Sequence, residues 1–266
     1  MLAPSNFHLV QFWKELLPNF HICDPEYLHC NPLYFSDDVL NEIKERMKQE
    51  GYLSIDPINW GMDIEQLALG VKKLHDNKIN PIYVTIYDEY WLLFQKLHNL
   101  ISAIIGDYKH RLRIWVWYID PTIEQPGFTI HREYELVDTI GELPKNLSLW
   151  IPLTDATTLN SCMFVVPANR DPKYLKHTPK EYTFKYEDIR ALPIKAGGIL
   201  GWNHSILHWG SRSSNRTNDP RISISAEFQS SDSVFVDRFS CSYDSNLTFN
   251  QRLNIIELNK IEFGQR

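Results

Sequence analysis

A chain of 266 residues with 43% hydrophobic and 23% charged residues has the composition of one globular domain at the upper end of the usual size range. Its formal net charge of −6 is spread without acidic or basic blocks, which argues against nucleic acid or an anionic membrane surface as partner. No apolar run is long enough to span a membrane, and Met1 to Phe20 mixes polar with apolar residues instead of following a secretory-signal pattern.

In chain order, Phe7 to Leu17 has apolar residues at helical spacing and stops before Pro18. His21 to Pro32 reads as loop, interrupted by Pro25 and Pro32. Cys23 and Cys30, with His21 and His29 nearby, lack the spacing of a structural zinc site. Together with Cys162 and Cys241 they read as reduced thiols of a cytoplasmic protein. Ser36-Asp37-Asp38 opens a helix through Val39, Leu40, Ile43 and Met47, with Ser36 or Asp37 as N-cap and Gly51 as stop. A short strand follows over Tyr52–Ile55, then an amphipathic helix over Asp63–His75. Ile82–Ile86 is short and rich in β-formers, and Asp88–Ile105 reads as one further helix closed by Gly106-Asp107.

From Arg111 onward the helical period gives way to short segments rich in β-branched and aromatic residues. These are Arg113–Ile119, Gly127–Tyr134, Leu147–Leu153, Cys162–Val166, Glu181–Lys185, Gly198–Trp202, Ser205–Trp209, Ile222–Phe228 and Val234–Val236. A last helix is expected within Leu247–Phe263. The pattern predicts a single domain of the α+β, mainly β class. Residues 1–110 would form a helical support layer, 111–236 a β core, and 237–266 a C-terminal extension.

Within that core, His131-Arg132-Glu133 carries the first chemical signal. In a strand, residues i and i+2 share a face, so His131 and Glu133 would point together and Arg132 away. Two histidines and one carboxylate form the facial ligand set of non-haem Fe(II) sites, so a second histidine is needed. His208 and His204, both in Trp202–Gly210, are the candidates, and strand periodicity alone does not separate them. A double-stranded β-helix, the jelly-roll or cupin-type fold, brings such distant strands to one mouth. Beyond them, Arg221 and Ser223 share a face of one strand, and an arginine fork beside a hydroxyl suits the far carboxylate of a small dicarboxylic acid. Arg113, Trp115 and Trp117 also alternate on one face, as a substrate wall or as sheet packing. An inward Arg113 would need either a substrate carboxylate or a structural Asp or Glu.

Four segments, within about residues 36–230, resemble the phytanoyl-CoA dioxygenase-like family of Fe(II)/2-oxoglutarate oxygenases. They are His131-Arg132-Glu133, Leu149–Ala156, Asn160–Pro167, and His208-Trp209-Gly210 followed by Arg221-Ile222-Ser223. The resemblance implies Fe(II) on His131, Glu133 and His208, and the distal carboxylate of 2-oxoglutarate on Arg221 with help from Ser223. It also implies Trp150 beside this co-substrate, and O₂ as oxidant. The chain departs from the family pattern at Glu133, where Asp is more frequent, at Ser161, where the turn usually has Gly, and at Ala168-Asn169-Arg170. Related halogenases have Ala or Gly at the carboxylate position, so by this resemblance Glu133 points away from halogenation and toward hydroxylation, or desaturation or ring formation from the same radical, with hydroxylation of a small molecule as the leading expectation. The rival expectation is a cupin-like metal-binding protein without this chemistry, which would have no use for a dicarboxylate anchor.

Overall fold

The computed structural model describes residues 6–28, 31–133, 141–174, 183–233 and 239–262. The N-terminal third is helical: α1 (Val10–Leu16), α2 (Asp37–Glu50), α3 (Ile64–Asp76), α4 (Asp88–Lys96) and α5 (His98–Ile105), with β1 (Tyr52–Ile55) between α2 and α3. Helix α2 begins where the Ser36 hydroxyl accepts from the Val39 N–H, with Asp37 and Asp38 placed to complement the helix dipole. It ends at Gly51, whose φ of 78° lets the chain turn directly into β1.

Two sequence expectations change here. Ile82–Ile86 lies within a 3₁₀ helix, Pro81–Ile86. Pro81 starts it, the Asn80 side chain caps it, and residues 82 to 86 are all buried. The apolar, β-branched composition therefore reflects burial, not a ladder. The stretch Asp88–Ile105 is two helices, because Leu97 leaves the helical path and the Lys96 carbonyl accepts from Leu33 N–H at 2.7 Å.

The remaining elements are β2 (Tyr108–Ile119), β3 (Asn146–Pro152), β4 (Met163–Val166), β5 (Arg190–Leu192), β6 (Ile199–Asn203), β7 (Leu207–Gly210), β8 (Arg221–Ser230), β9 (Ser240–Cys241) and α6 (Phe249–Glu262). The predicted strand Val234–Val236 lies outside the described residues, as do 181–182, while 183–185 form no strand. Two antiparallel sheets face each other as a double-stranded β-helix: β1-β6-β3-β8-β2-β9 and β5-β4-β7.

Alternation along the central strands makes the larger sheet two-sided. On β8, Ile222, Ile224, Ala226 and Phe228 join the large core beneath the helices. Arg221, Ser225 and Glu227, on the other parity, line a cavity between the sheets. Strand β3 divides in the same way, with Leu147, Leu149 and Ile151 toward the helices and Ser148 and Trp150 toward the cavity. Among the described residues no helix is long and apolar enough to cross a membrane.

His110 of β2 faces the helical side, packed on the rings of Trp91, Phe94 and Phe228. Burial there pushes its pKa from 6.5 down to about 4. The unfolded chain therefore takes up a proton at a pH where the fold does not. Stability is expected to fall as pH drops from 6.5 to about 4, with His110 contributing on the order of 2–3 kcal/mol of the loss. Urea unfolding at a series of pH values should show this slope, and His110→Phe should flatten it.

Candidate metal centre

The segment from Pro126 to Glu133 runs antiparallel to β7 without becoming a regular strand. Gly127 N–H donates to Ser211 O, and Gly210 N–H to Phe128 O. The two backbones approach so closely that a Cβ on Gly127 would sit 2.7 Å from the Gly210 carbonyl carbon. His131 and His208 then exchange both backbone hydrogen bonds, at 3.1 and 3.0 Å. The pairing next slips, and Glu133 N–H donates to His204 O at 3.0 Å. The strand expected over Gly127–Tyr134 is thus a single β-bridge at His131, with Tyr134 outside the described residues.

That bridge places the two imidazoles side by side, with ring centroids 4.2 Å apart. Glu133 Oε1 lies 3.4 Å from His131 Nε2 and 3.9 Å from His208 Nε2. One donor atom from each of the three residues falls within 4.8 Å of the others, as a metal ion would require. Both Nδ1 atoms face backbone carbonyls, that of His131 toward Thr129 O (2.8 Å) and that of His208 toward Ile206 O (3.2 Å). With the proton on Nδ1, each Nε2 keeps a lone pair for the shared centre.

Electrostatics favour the ligand forms. Burial alone would raise Glu133, but the His131 hydrogen bond and the charges of His204, His131 and His208 outweigh it and hold the carboxyl at about 2. Burial, then the neighbouring His131, depresses His208 to about 3. At neutral pH Glu133 is ionised and His208 neutral, the states in which each can donate to a metal.

His204 is not part of the cluster. A turn separates β6 from β7, with the Asn203 side chain accepting from Ser205 N–H at 3.1 Å, so 204 and 208 do not share a strand face. His204 is buried and contributes its carbonyl to Glu133. Arg132 points away from the centre as expected, into a buried ion pair with Asp171, and its Nη1 donates to Ser205 O at 2.9 Å. This clamp joins the His131–Glu133 segment to the β6–β7 turn. Arg132→Ala would leave the Asp171 carboxylate buried and unpaired, at a cost of about 3–5 kcal/mol. Chemical denaturation should show that loss, and Asp171→Asn in the same chain should recover part of it.

The donors open onto a cavity of about 450 Å³. Arg221 lies in its wall, 2% exposed, with Nη1 donating to the Ser223 hydroxyl at 2.8 Å and its guanidinium 5.4 Å from the Trp150 ring centre. Its Nε is buried without a hydrogen-bond partner among the described residues. Burial lowers its pKa to about 10, which leaves it cationic at neutral pH. A buried guanidinium facing a cavity is an anion receptor.

Trp115 and Trp117 also line the cavity, their rings stacked 5.8 Å apart at 6°. Arg113 sits at a break in register between β2 and β8 and pairs with Glu227 at 3.8 Å, while the buried Arg111 meets the same carboxylate oxygen at 3.2 Å. Of the two anions considered for Arg113, the structure therefore supplies the structural one. Trp202 and Phe128 also belong to the wall, as do Ser225 and Glu227. The last two were legible, since they continue the Arg221–Ser223 alternation. Phe128 and Trp202 had no such signal.

Ser161, where the family pattern has Gly, keeps a positive φ of 77°. Its hydroxyl donates to Ser211 O at 2.5 Å, a contact glycine could not make.

A family model described as phytanoyl-CoA dioxygenase (PhyH) matches residues 27–223. No curated protein matches the chain. Among solved structures, the chain is similar to the epimerase SnoN in complex with Fe3+, alpha ketoglutarate and nogalamycin RO, with 16% identity over 73% of this chain and 85% of that one and a TM-score of 0.56. It is similar to a non-heme monooxygenase, the ThoJ–Ni complex, with 10% identity over 84% and 97% and a TM-score of 0.61. AviO1 from Streptomyces viridochromogenes gives 14% identity over 76% and 100%, with a TM-score of 0.58. At these identities the likeness is one of fold.

Proposed function

The chain belongs to the phytanoyl-CoA dioxygenase family, and from that premise we propose that it is an Fe(II)- and 2-oxoglutarate-dependent oxygenase that hydroxylates an unactivated C–H bond of a small molecule. One observation carries the reading: two imidazoles, a carboxylate and a buried arginine, itself hydrogen-bonded to Ser223, are brought to the same cavity. The donor set fits iron, since two neutral nitrogens and one ionised oxygen suit a divalent ion that keeps open positions toward the cavity. The epimerase SnoN, similar in fold, has been solved in complex with Fe3+ and alpha ketoglutarate.

His131, Glu133 and His208 would hold the metal. Arg221 and Ser223 would receive the distal carboxylate of 2-oxoglutarate, with Trp150 packed over the guanidinium. When bound, iron with 2-oxoglutarate and O₂ supplies the oxidation, and 2-oxoglutarate leaves as succinate and CO₂. The protein's part is to orient. The Thr129 and Ile206 carbonyls orient both rings, and Arg221 would hold the distal end of the co-substrate. Trp115, Trp117, Trp202 and Phe128 give the centre a largely apolar surround. A cytoplasmic location is part of this proposal.

The test is succinate formation from 2-oxoglutarate with Fe(II) in air, measured with and without candidate substrates. Slow uncoupled turnover is expected without substrate, and none without oxygen. Absence of both succinate and anaerobic 2-oxoglutarate binding would leave only a metal-binding protein.

A further inference from the structure

On the oxygenase reading above, we infer the substrate class: a flat, apolar-bodied, uncharged molecule, an aromatic or otherwise unsaturated ring system carrying a neutral hydrogen-bond donor such as a hydroxyl. The body is specified by the aromatic wall. Trp115 and Trp117 alternate on β2, and their near-parallel, stacked rings make an aromatic shelf in the cavity wall. Phe128 stands against that shelf at 58° and 64°, with centroids 5.9 and 5.8 Å away, making a corner instead of a second parallel plate. A flat ring laid on the shelf meets an indole face and the side of Phe128, the arrangement in which π-systems attract.

The corner also leads to the metal centre, because the Phe128 ring lies 4.6 Å from that of His131. A molecule seated on the shelf presents its edge, or a substituent at that edge, to the reacting position. The cavity is in the small-molecule range, and sharing it with 2-oxoglutarate limits the guest to a compact one.

The charge is specified by Glu227. Apart from the metal donors and Arg221, it is the charged residue in the wall among the described residues. An amine substrate would need an uncompensated carboxylate, but one oxygen of Glu227 already meets Arg111 at 3.2 Å and Arg113 at 3.8 Å. A carboxylate or phosphate substrate would need a cation facing the cavity. Arg221 is committed to the co-substrate, and the two arginines reach Glu227 without lining the cavity themselves. What remains is hydrogen bonding: the hydroxyls of Ser148 and Ser225 in the wall can donate or accept. A neutral O–H or N–H on a flat body satisfies them without burying a lone charge.

One ring carrying different groups tests each clause. Protein loaded with Fe(II) and 2-oxoglutarate in the absence of oxygen is titrated calorimetrically with 2-naphthol, 2-naphthoate, 2-naphthylmethylammonium and the saturated decahydro-2-naphthol. The order expected is 2-naphthol tightest, with the two ions and the puckered alcohol each weaker by about tenfold or more. Trp115→Leu and the rim variant Phe128→Ala should each weaken 2-naphthol by about tenfold. The Fe(II)–2-oxoglutarate charge-transfer band should persist in both, which shows that they fold and load. Tightest binding of the ammonium, lost in Glu227→Gln, would replace this inference with a cation site. Failure of 2-naphthol to bind, or indifference to both substitutions, would also overturn it. If the charge-transfer band never forms in the parent protein, the oxygenase reading fails instead, and the same titrations on metal-free protein still read the shelf.

Discussion

Replacing Arg221 with alanine is expected to weaken 2-oxoglutarate binding by roughly a hundredfold, about 3 kcal/mol, while leaving the metal in place. The guanidinium is almost wholly buried at the cavity wall, so an anion there is bound in a medium that screens poorly. Ser223 donates nothing comparable, and Trp150 offers only its ring face. Arg221→Lys separates charge from shape. It keeps a cation but loses the planar fork and the stacking on Trp150, so affinity should fall between those of the parent and the alanine variant. Anaerobic titration of the charge-transfer band with 2-oxoglutarate measures all three proteins. Unchanged affinity in Arg221→Ala would mean that the co-substrate carboxylate lies elsewhere or that no dicarboxylate binds.

Glu133→Ala should abolish coupled turnover, with succinate formation falling by at least about a hundredfold, because losing a metal ligand exceeds the effect of losing a residue that merely supports one. Glu133 is also the only anion in the cluster. Its carboxyl is held at about 2 against the cost of burial by His131, His204 and His208, so the residue is ionised throughout the neutral range. Without it, a dication would face neutral imidazoles with nothing to offset its charge. Glu133→Asp keeps the charge with a shorter reach and should retain part of the activity. Metal content after dialysis and succinate yield together report the result. Full turnover by the alanine variant would place the carboxylate ligand elsewhere.

The helical layer shows where local signals suffice. Ser36, Asp37 and Gly51 marked both ends of α2 because caps act within a few residues of themselves. Local composition failed at Ile82–Ile86, where burial from every side, not strand pairing, accounts for the β-branched residues. It failed again at Leu97, since the contact with Leu33 that accompanies the break comes from a distant part of the chain.

At the site, residue types and alternation were legible: the His-x-Glu pair, a later histidine, and the Arg221-Ser223 face that Ser225 and Glu227 extend. The choice between His208 and His204 was not, because it depends on a turn fixed by the Asn203 side chain. Nor was the reason that His131 and Glu133 converge. They do so without strand periodicity, since His131 bridges to His208 while Glu133 bonds one turn earlier, to the His204 carbonyl. The partner of Arg113 was likewise open until β8 placed Glu227 beside it. The sequence by itself determined which side chains could do the chemistry and, along β8, which face Arg221, Ser225 and Glu227 occupy. Tertiary structure alone decided which of them share one cavity, because backbone pairing between segments far apart in the chain sets the few ångströms on which a metal centre depends.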